Sequence, residues 1–558
     1  MSNALDRLQR ELGLEEQSFL DEDPSVSLTM LIISVVRESN ATYTLEHLAR
    51  AIRDVDLATS LDPLALLPML IPCPDVGADQ LIQLIGRESS AKEAIMATQE
   101  IVEHLELDPE AEEAADDDLW LVRQIARVLN LYALAVSRLP RRKTSPAEQL
   151  RSLLLELQSV MSQEMRSTTG TAGRMVLASV HQLVHEITHW VNTDVRLETD
   201  ERKLIVDTLL PFTSSALELC SNSTGGVLAQ RAFEAQYPRL VVPALNGDPN
   251  TLQDPPRDLI SAIVVHMKQL GLTNDIYASQ LSLGSLMLLA HLPDYTFTTS
   301  VLASFFPVIL MALQANTALD EVLSVLLNVI VPLIKQTPRP EFSPDLIVPL
   351  AHVLPPLASV HPDPSIRHFT FRILSAALAL APSLVRVQLL QGLLTDSDSS
   401  PQMRIATVGL VKEALLEALA TPPGSAEAQR NLFASPTFLK TFGPIILRPD
   451  PPDMFTPGNV LQLDDFLDTK EPLRLVECLS FYYVLLMRDV HNRTGIRDKD
   501  NLRNAMRTLV DPLRAQLRQW GYDSAITDRL EHDARLQLAI LDMWLDRVSS
   551  SVEELGQS

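Results

Sequence analysis

Between residues 360 and 420 the apolar positions recur at helical spacing, and they do so twice. Ile366, Phe369, Ile373, Leu374 and Ala377 stand at i, i+3, i+7, i+8 and i+11, one stripe of an α-helix. The same set returns 37 positions later as Met403, Ala406, Leu410, Val411 and Ala414, and Pro364, Arg367 and Thr370 return as Pro401, Arg404 and Thr407. Each copy opens with a side chain able to accept from the first free N–H groups, Asp363 or Ser400. A proline follows at the position where a missing N–H costs nothing. Between the copies Ser383 to Leu394 form a second apolar helix, with Leu384, Val387, Leu390, Leu393 and Leu394 on its stripe. One helix pair in this period is the signature of a HEAT or armadillo-like α-solenoid. A single pair cannot bury its stripe, so further pairs must stack on either side. The expected fold is therefore all-α.

The rest of the chain carries compatible patterns. Short helical runs follow one another from Ser25 to about Glu106, and longer amphipathic helices are expected at Trp120–Val136, Pro146–Met165, Arg174–Val191 and Thr199–Leu219. From Pro256 the rhythm is regular, with stripes at 256–270, 275–291, 296–314, 318–335 and 343–358. Longer helices close the chain at Pro472–Arg488, Asp500–Trp520 and Ala525–Val548. These readings divide the sequence into an acidic tail or short helix (1–24), an N-terminal helical-repeat region (25–250), HEAT-like repeats (251–447), a proline-rich loop (448–460) and a C-terminal helical cap (461–558) expected to be the docking region. The acidic run 106–118 reads as a solvated loop.

Composition sharpens this picture. Hydrophobic residues make up 46% of the 558 positions, with 18 glycines and 5% aromatics, which suits packed helices. The 37 prolines are many for a helical chain and are expected between helices or in first turns. A formal charge of −25 argues against nucleic acid or an anionic membrane as the primary partner, since both need a basic footprint. The most apolar window, Leu281 to Leu313, is broken by His291, Pro293, Asp294 and Pro307, so no bilayer span is expected. The opening MSNALDRLQRELGLEEQ lacks the features of a signal peptide. Three dispersed cysteines suit a reducing compartment. The expectation is a cytoplasmic protein, with the nucleus as a second location, acting as a monomer.

Candidate chemistry is sparse. His185-Glu186-Ile187-Thr188-His189 matches H-E-x-x-H, the helical spacing that sets two imidazoles around zinc with glutamate as base. The extension of the longer zinc motif is missing, with Asn192 and Val195 where glycine and histidine would stand. Val180, Val184, Ile187 and Val191 account for the helix as a buried stripe. A zinc hydrolase is thus the weakest reading. No phosphate loop, dinucleotide fingerprint or nucleophile elbow occurs. No catalytic, cofactor-binding or metal residue is assigned, and no cofactor is expected. Arg503, Arg507, Arg514 and Arg518 lie at near-helical spacing after Arg493, Arg497 and Lys499, a set suited to pairing with carboxylates. Arg367 and Arg404 are expected to bridge to acids in the adjoining turns.

Three strings carry a resemblance. LLTDSDSSPQMRIATVGLVKEAL (393–415), LDDFLDTKEPLRLVECLSFYYVLLMRD (463–489) and NRTGIRD (492–498) are similar to the YAP-binding, ALF-type and glomulin family of helical-repeat proteins. The resemblance covers roughly residues 360 to 500. It implies a non-enzymatic adaptor. Glomulin clamps the RING subunit of cullin-RING ubiquitin ligases and blocks E2 docking, whereas fungal relatives are associated with a peroxide-responsive bZIP transcription factor or with kinetochores. Two kinds of protein partner therefore stay open. The partner-binding residues expected are Asn492, Arg493, Arg497 and Asp498 of the polar turn, with Arg503 and Arg507 on the next helix. Asp498 could equally cap that helix.

Overall fold

The computed structural model describes residues 7–8, 10–12, 23–37, 43–107, 119–141, 143–164, 170–223, 226–240, 255–273, 277, 279–293, 295–425, 428, 430–456, 461–521 and 532–557. Most of the tail 1–24, the acidic run from residue 108 and the end of the proline-rich loop lie outside them. Among the described residues there are helices and no strand. The fold is an all-α solenoid, and the chain divides into two compact units, 1–325 and 326–558.

The first unit contains α1 (Pro24–Arg37), α2 (Leu45–Asp54), α3 (Pro63–Leu70), α4 (Gly77–Glu88), α5 (Ala91–Leu107), α6 (Trp120–Ala135), α7 (Pro146–Glu164), α8 (Gly170–Thr193), α9 (Thr199–Leu219), α10 (Leu228–Gln236), α11 (Pro255–Gln269), α12 (Leu283–Ala290) and α13 (Thr299–Ala315). Most long helices pack on the helix two places along, and α8 and α9, with the short α10 between, pack on α11 and α12 three places along. α2, α4, α6, α8 and then α11 form one layer, and α1, α3, α5, α7, α9 and α12 form the other. That alternation is characteristic of stacked helix pairs, and it begins well before Pro256, where the rhythm becomes plain in sequence. Local chemistry starts the helices: Thr44 accepts from the His47 N–H, and Asp62 accepts from the Leu64 and Ala65 N–H groups ahead of Pro63.

Arg127 of α6, only 2% exposed, ties the layers together. Its Nη1 donates to the carbonyls of Leu70 (3.0 Å), Ile71 (2.9 Å) and Cys73 (2.5 Å), and its Nε to Asp79 Oδ1 at 2.6 Å. The guanidinium thus satisfies the free carbonyls at the end of α3, which are otherwise a cost of ending a helix inside a protein.

α14 (Leu319–Ile334) runs through the division. The second unit continues with α15 (Pro344–Val360), α16 (Pro364–Ala379), α17 (Ser383–Thr395), α18 (Pro401–Ala420), α19 (Pro436–Ile446), α20 (Leu463–Asp468), α21 (Glu471–Arg488), α22 (Lys499–Ala505), α23 (Asp511–Gly521) and α24 (His532–Gln557). The 37-residue repeat is realised as α16, α17 and α18. Asp363 accepts from Ser365 N–H, and Ser400 from Met403 N–H. Phe369, Ile373, Leu374 and Ala377 are buried, as are Met403, Leu410, Val411 and Ala414. α15 packs on α16, α17 on α18 and α19, α18 on α21, and α21 on α24.

Some expectations change. α19 and α20 arise in stretches with no clear stripe, and α12 is shorter than 275–291. Pro68, Pro211, Pro307, Pro332, Pro349, Pro355, Pro356 and Pro444 lie inside helices rather than between them. Each forfeits one backbone hydrogen bond. α15 carries three of them because Ile347, Leu350, Ala351 and Leu354 are buried and hold it by packing. Arg367 meets the carbonyls of His361 and Pro362 rather than an acid, whereas Arg404 does reach Asp450 at 3.2 Å. Among the described residues no helix is long and apolar enough to cross a membrane.

Candidate docking surface

The polar turn after α21 is organised by one carboxylate. Asp489 is fully buried. Its Oδ1 accepts from the Arg493 N–H at 2.7 Å, and its Oδ2 accepts from the Thr494 N–H (2.8 Å) and hydroxyl (2.7 Å). The chain can fold around it because Asn492 and Gly495 take left-handed backbone, φ 50° and 82°. Asn492 then locks the turn from both ends of its amide: Oδ1 accepts from the Arg497 N–H and Nδ2 donates to Asp498 Oδ1, both at 2.8 Å.

The two arginines of the turn are spent on helix ends. Arg493 Nη1 donates to the carbonyls of Ala418 (3.2 Å) and Thr421 (3.0 Å), at the end of α18. Arg497 donates through Nε (3.2 Å) and Nη2 (2.6 Å) to the Leu486 carbonyl near the end of α21. A cation at a helix C-terminus meets both the free carbonyls and the negative end of the dipole. Asp498 stands at the start of α22, but its side chain makes no capping bond and instead takes the Asn492 amide.

The structure thus brings Asn492, Arg493, Arg497 and Asp498 into one turn, as parts that hold it closed. Arg503 and Arg507 differ. Both are exposed on the next helical stretch, with Arg503 3.4 Å from the equally exposed Asp500 and Arg507 3.3 Å from Asn504 Oδ1. Residues 506–510 form a π-helical turn. The extra residue rotates the turns downstream of it, so Arg514 leaves the face of Arg503 and Arg507 and binds the middle of α24 at Leu545 O, Asp546 and Ser549 Oγ. A cleft of about 390 Å³ lies between this region and α19, bordered by Lys440, Arg448, Thr494, Asp498, Asn501 and Asn504.

Beneath the surface an ion pair that the pattern did not single out fixes the start of the proline-rich stretch. Glu471 and Arg474 are each 7% exposed. The carboxylate receives Arg474 Nε (2.6 Å), Arg474 Nη2 (2.7 Å) and the Asp450 N–H (3.0 Å), and Arg474 Nη2 also reaches the Arg448 carbonyl at 2.8 Å. Burial raises the Glu471 carboxyl above its ordinary value, while Arg474 pulls the other way. Beside them burial pushes the Cys478 thiol up to about 11.

The H-E-x-x-H string lies on α8 without an assembled site. His185 groups with His181 and with His266 of α11, ring centroids 4.9 Å apart for His185 and His266, while Glu186 accepts from Gln182 at 2.8 Å. Among the described residues no group of three His, Cys, Asp or Glu is posed to hold a metal ion.

A stack of helices whose polar turn is built to hold its shape, and which presents exposed arginines beyond it, belongs to the class of helical-repeat proteins. Residues 311–527 match the family described as the uncharacterised protein family YAP/Alf4/glomulin, so the second unit's turn and Arg503 and Arg507 all fall within the family region. No curated protein matches the chain.

Proposed function

We propose that the protein is a non-enzymatic scaffold whose C-terminal region docks a protein partner, with Arg503 and Arg507 supplying contacts to carboxylates. The observation that carries this reading is the contrast within one set of cations. Arg493, Arg497 and Arg514 are consumed internally, whereas Arg503 and Arg507, like Lys499 before them and Arg518 after, stand exposed beyond the Asp489 turn. Arginine's planar fork is pre-organised for carboxylates, so it loses less freedom per hydrogen bond formed than lysine, and it is favoured at interfaces.

The sharper form is a glomulin-like one: the partner is the RING subunit of a cullin-RING ligase, in the cytoplasm or nucleus, and docking blocks E2 access. Affinity purification from native extract tests it, comparing wild type with Arg503→Glu/Arg507→Glu. These exposed positions are better probes than Arg497, whose loss would open the turn itself. Recovery of a cullin–RING complex by wild type alone supports the ligase mechanism. Recovery of a bZIP factor or kinetochore proteins keeps the scaffold and discards that mechanism. Equal recovery by both proteins removes the two arginines from the interface.

A further inference from the structure

A second surface of the same unit has the opposite charge to the chain. A groove of about 1080 Å³ runs along residues 334–341, the α16–α17 connection and residues 430–433. Four cationic side chains line it, Lys335, Arg339, Arg386 and Arg430, against two acids, Glu341 and Glu417. In a chain of net charge −25 this is a local reversal of sign.

Arg339 and Arg386 are only partly neutralised. Glu417 is shared: Oε1 accepts from Arg339 Nη1, and Oε2 from Arg386 Nη1 at 3.0 Å. One carboxylate therefore serves two guanidiniums, each with five N–H donors. Arg386 is held in place over the Phe433 ring, 5.5 Å from its centroid, and its buried Nε has no hydrogen-bond partner. Its Nη1 is already turned to Glu417, so the more open Arg339 and Arg430 are the cations a ligand carboxylate can reach first. Arg430 is exposed on the rim. Prolines 338 and 340, with Leu384 and Leu432, add apolar wall between the charges.

We infer that this groove binds an acidic peptide segment of a partner protein, its carboxylates meeting Arg339, Arg386 and Arg430 and its apolar side chains meeting Leu384 and the prolines. The size favours a peptide, since the groove reaches the upper limit of small-molecule sites. Sign complementarity selects an acidic one, because a basic segment would meet a net positive wall. The groove shares the docking role proposed above but is a separate surface.

The test uses the full chain and a short labelled peptide alternating glutamate and leucine, read by fluorescence anisotropy, with a lysine–leucine peptide as control. Binding is expected for the acidic peptide alone, weakening as salt is added and weakening about tenfold or more in Arg430→Glu. Circular dichroism checks that this exposed substitution leaves the fold intact, and Arg339→Gln provides a second, milder variant with the same expected direction. Arg503→Glu/Arg507→Glu should bind the peptide as wild type does. The inference is overturned if the acidic peptide does not bind, if the lysine peptide binds equally well, or if Arg430→Glu and Arg339→Gln leave affinity unchanged. Loss of binding in Arg503→Glu/Arg507→Glu instead would overturn it in favour of the surface near α22.

Discussion

Replacing Asp489 by alanine should cost far more than its single charge suggests. The side chain is fully buried and accepts three hydrogen bonds, from Arg493 N–H, Thr494 N–H and Thr494 Oγ, between 2.7 and 2.8 Å. Hydrogen bonds to a charged acceptor contribute about 1.5–3 kcal/mol each, and stranded donors cost a similar amount. The three are not additive, since Arg493 is half-buried and water can reach part of the turn. A loss of about 3–5 kcal/mol is therefore expected. Asp489→Asn keeps one acceptor oxygen but turns an NH₂ group toward donors, so about half that loss is expected. Asp498→Ala removes only an exposed bond to Asn492 and should cost under about 1 kcal/mol. Urea unfolding gives the ordering, and hydrogen exchange at the amides of Arg493, Thr494 and Arg497 localises it. If Asp489→Ala unfolds within about 0.5 kcal/mol of wild type, or those amides stay protected, the carboxylate does not hold the turn.

Arg127→Lys should destabilise the first unit by about 3 kcal/mol or more, because an ammonium cannot reach Asp79 and three carbonyls at once; thermal unfolding measures it. Gly284→Ala should lower the melting temperature, with a cost of about 3 kcal/mol, since its Cβ would stand 1.8 Å from the Ser214 carbonyl oxygen where α12 crosses α9. Cys478 gives a pH dependence. The unfolded thiol loses its proton near its ordinary value of 9.0, whereas the folded one keeps it to about 11. Between these values the folded state binds more protons, so this group's contribution to stability is fully present below 9 and falls by up to about 1.4 kcal/mol per pH unit as pH rises. Urea midpoints from pH 8 to 11 should decline less steeply in Cys478→Ala, and parallel declines would contradict the burial effect.

The repeat at α16 to α18 was legible because its signals are local: a capping Asp or Ser, a proline, then an apolar stripe within one helix. α19 escaped notice because its sequence PTFLKTFGPII is short, carries Pro444 inside and is held by Phe438 and Phe442 packing with Phe433, a contact between segments. Arg127 was hidden for a related reason. A charged residue in an apolar helix looks like a solvated position until the carbonyls it serves, some 54 to 57 positions earlier, are brought beside it. In the polar turn the grouping of Asn492, Arg493, Arg497 and Asp498 was visible from their adjacency. Their use as bracing was not, because Ala418, Thr421 and Leu486 contribute backbone oxygens, which every residue possesses and no pattern marks. The register change before Arg514 comes from one π turn, which helical spacing cannot anticipate.

The order of packing in the first unit also sets a timetable for biosynthesis. Most long helices find their main partner two places back and α11 and α12 three places back, so each emerging helix has a surface already made to pack on. At translation rates of about 5–20 residues per second, the carbonyls at the end of α3 wait only some 3–10 seconds for the guanidinium of Arg127, and most new helices cover the apolar face exposed by the one before last. A chain packed in this order can cover its apolar faces stepwise from the N-terminal end, without waiting for the far end of the protein.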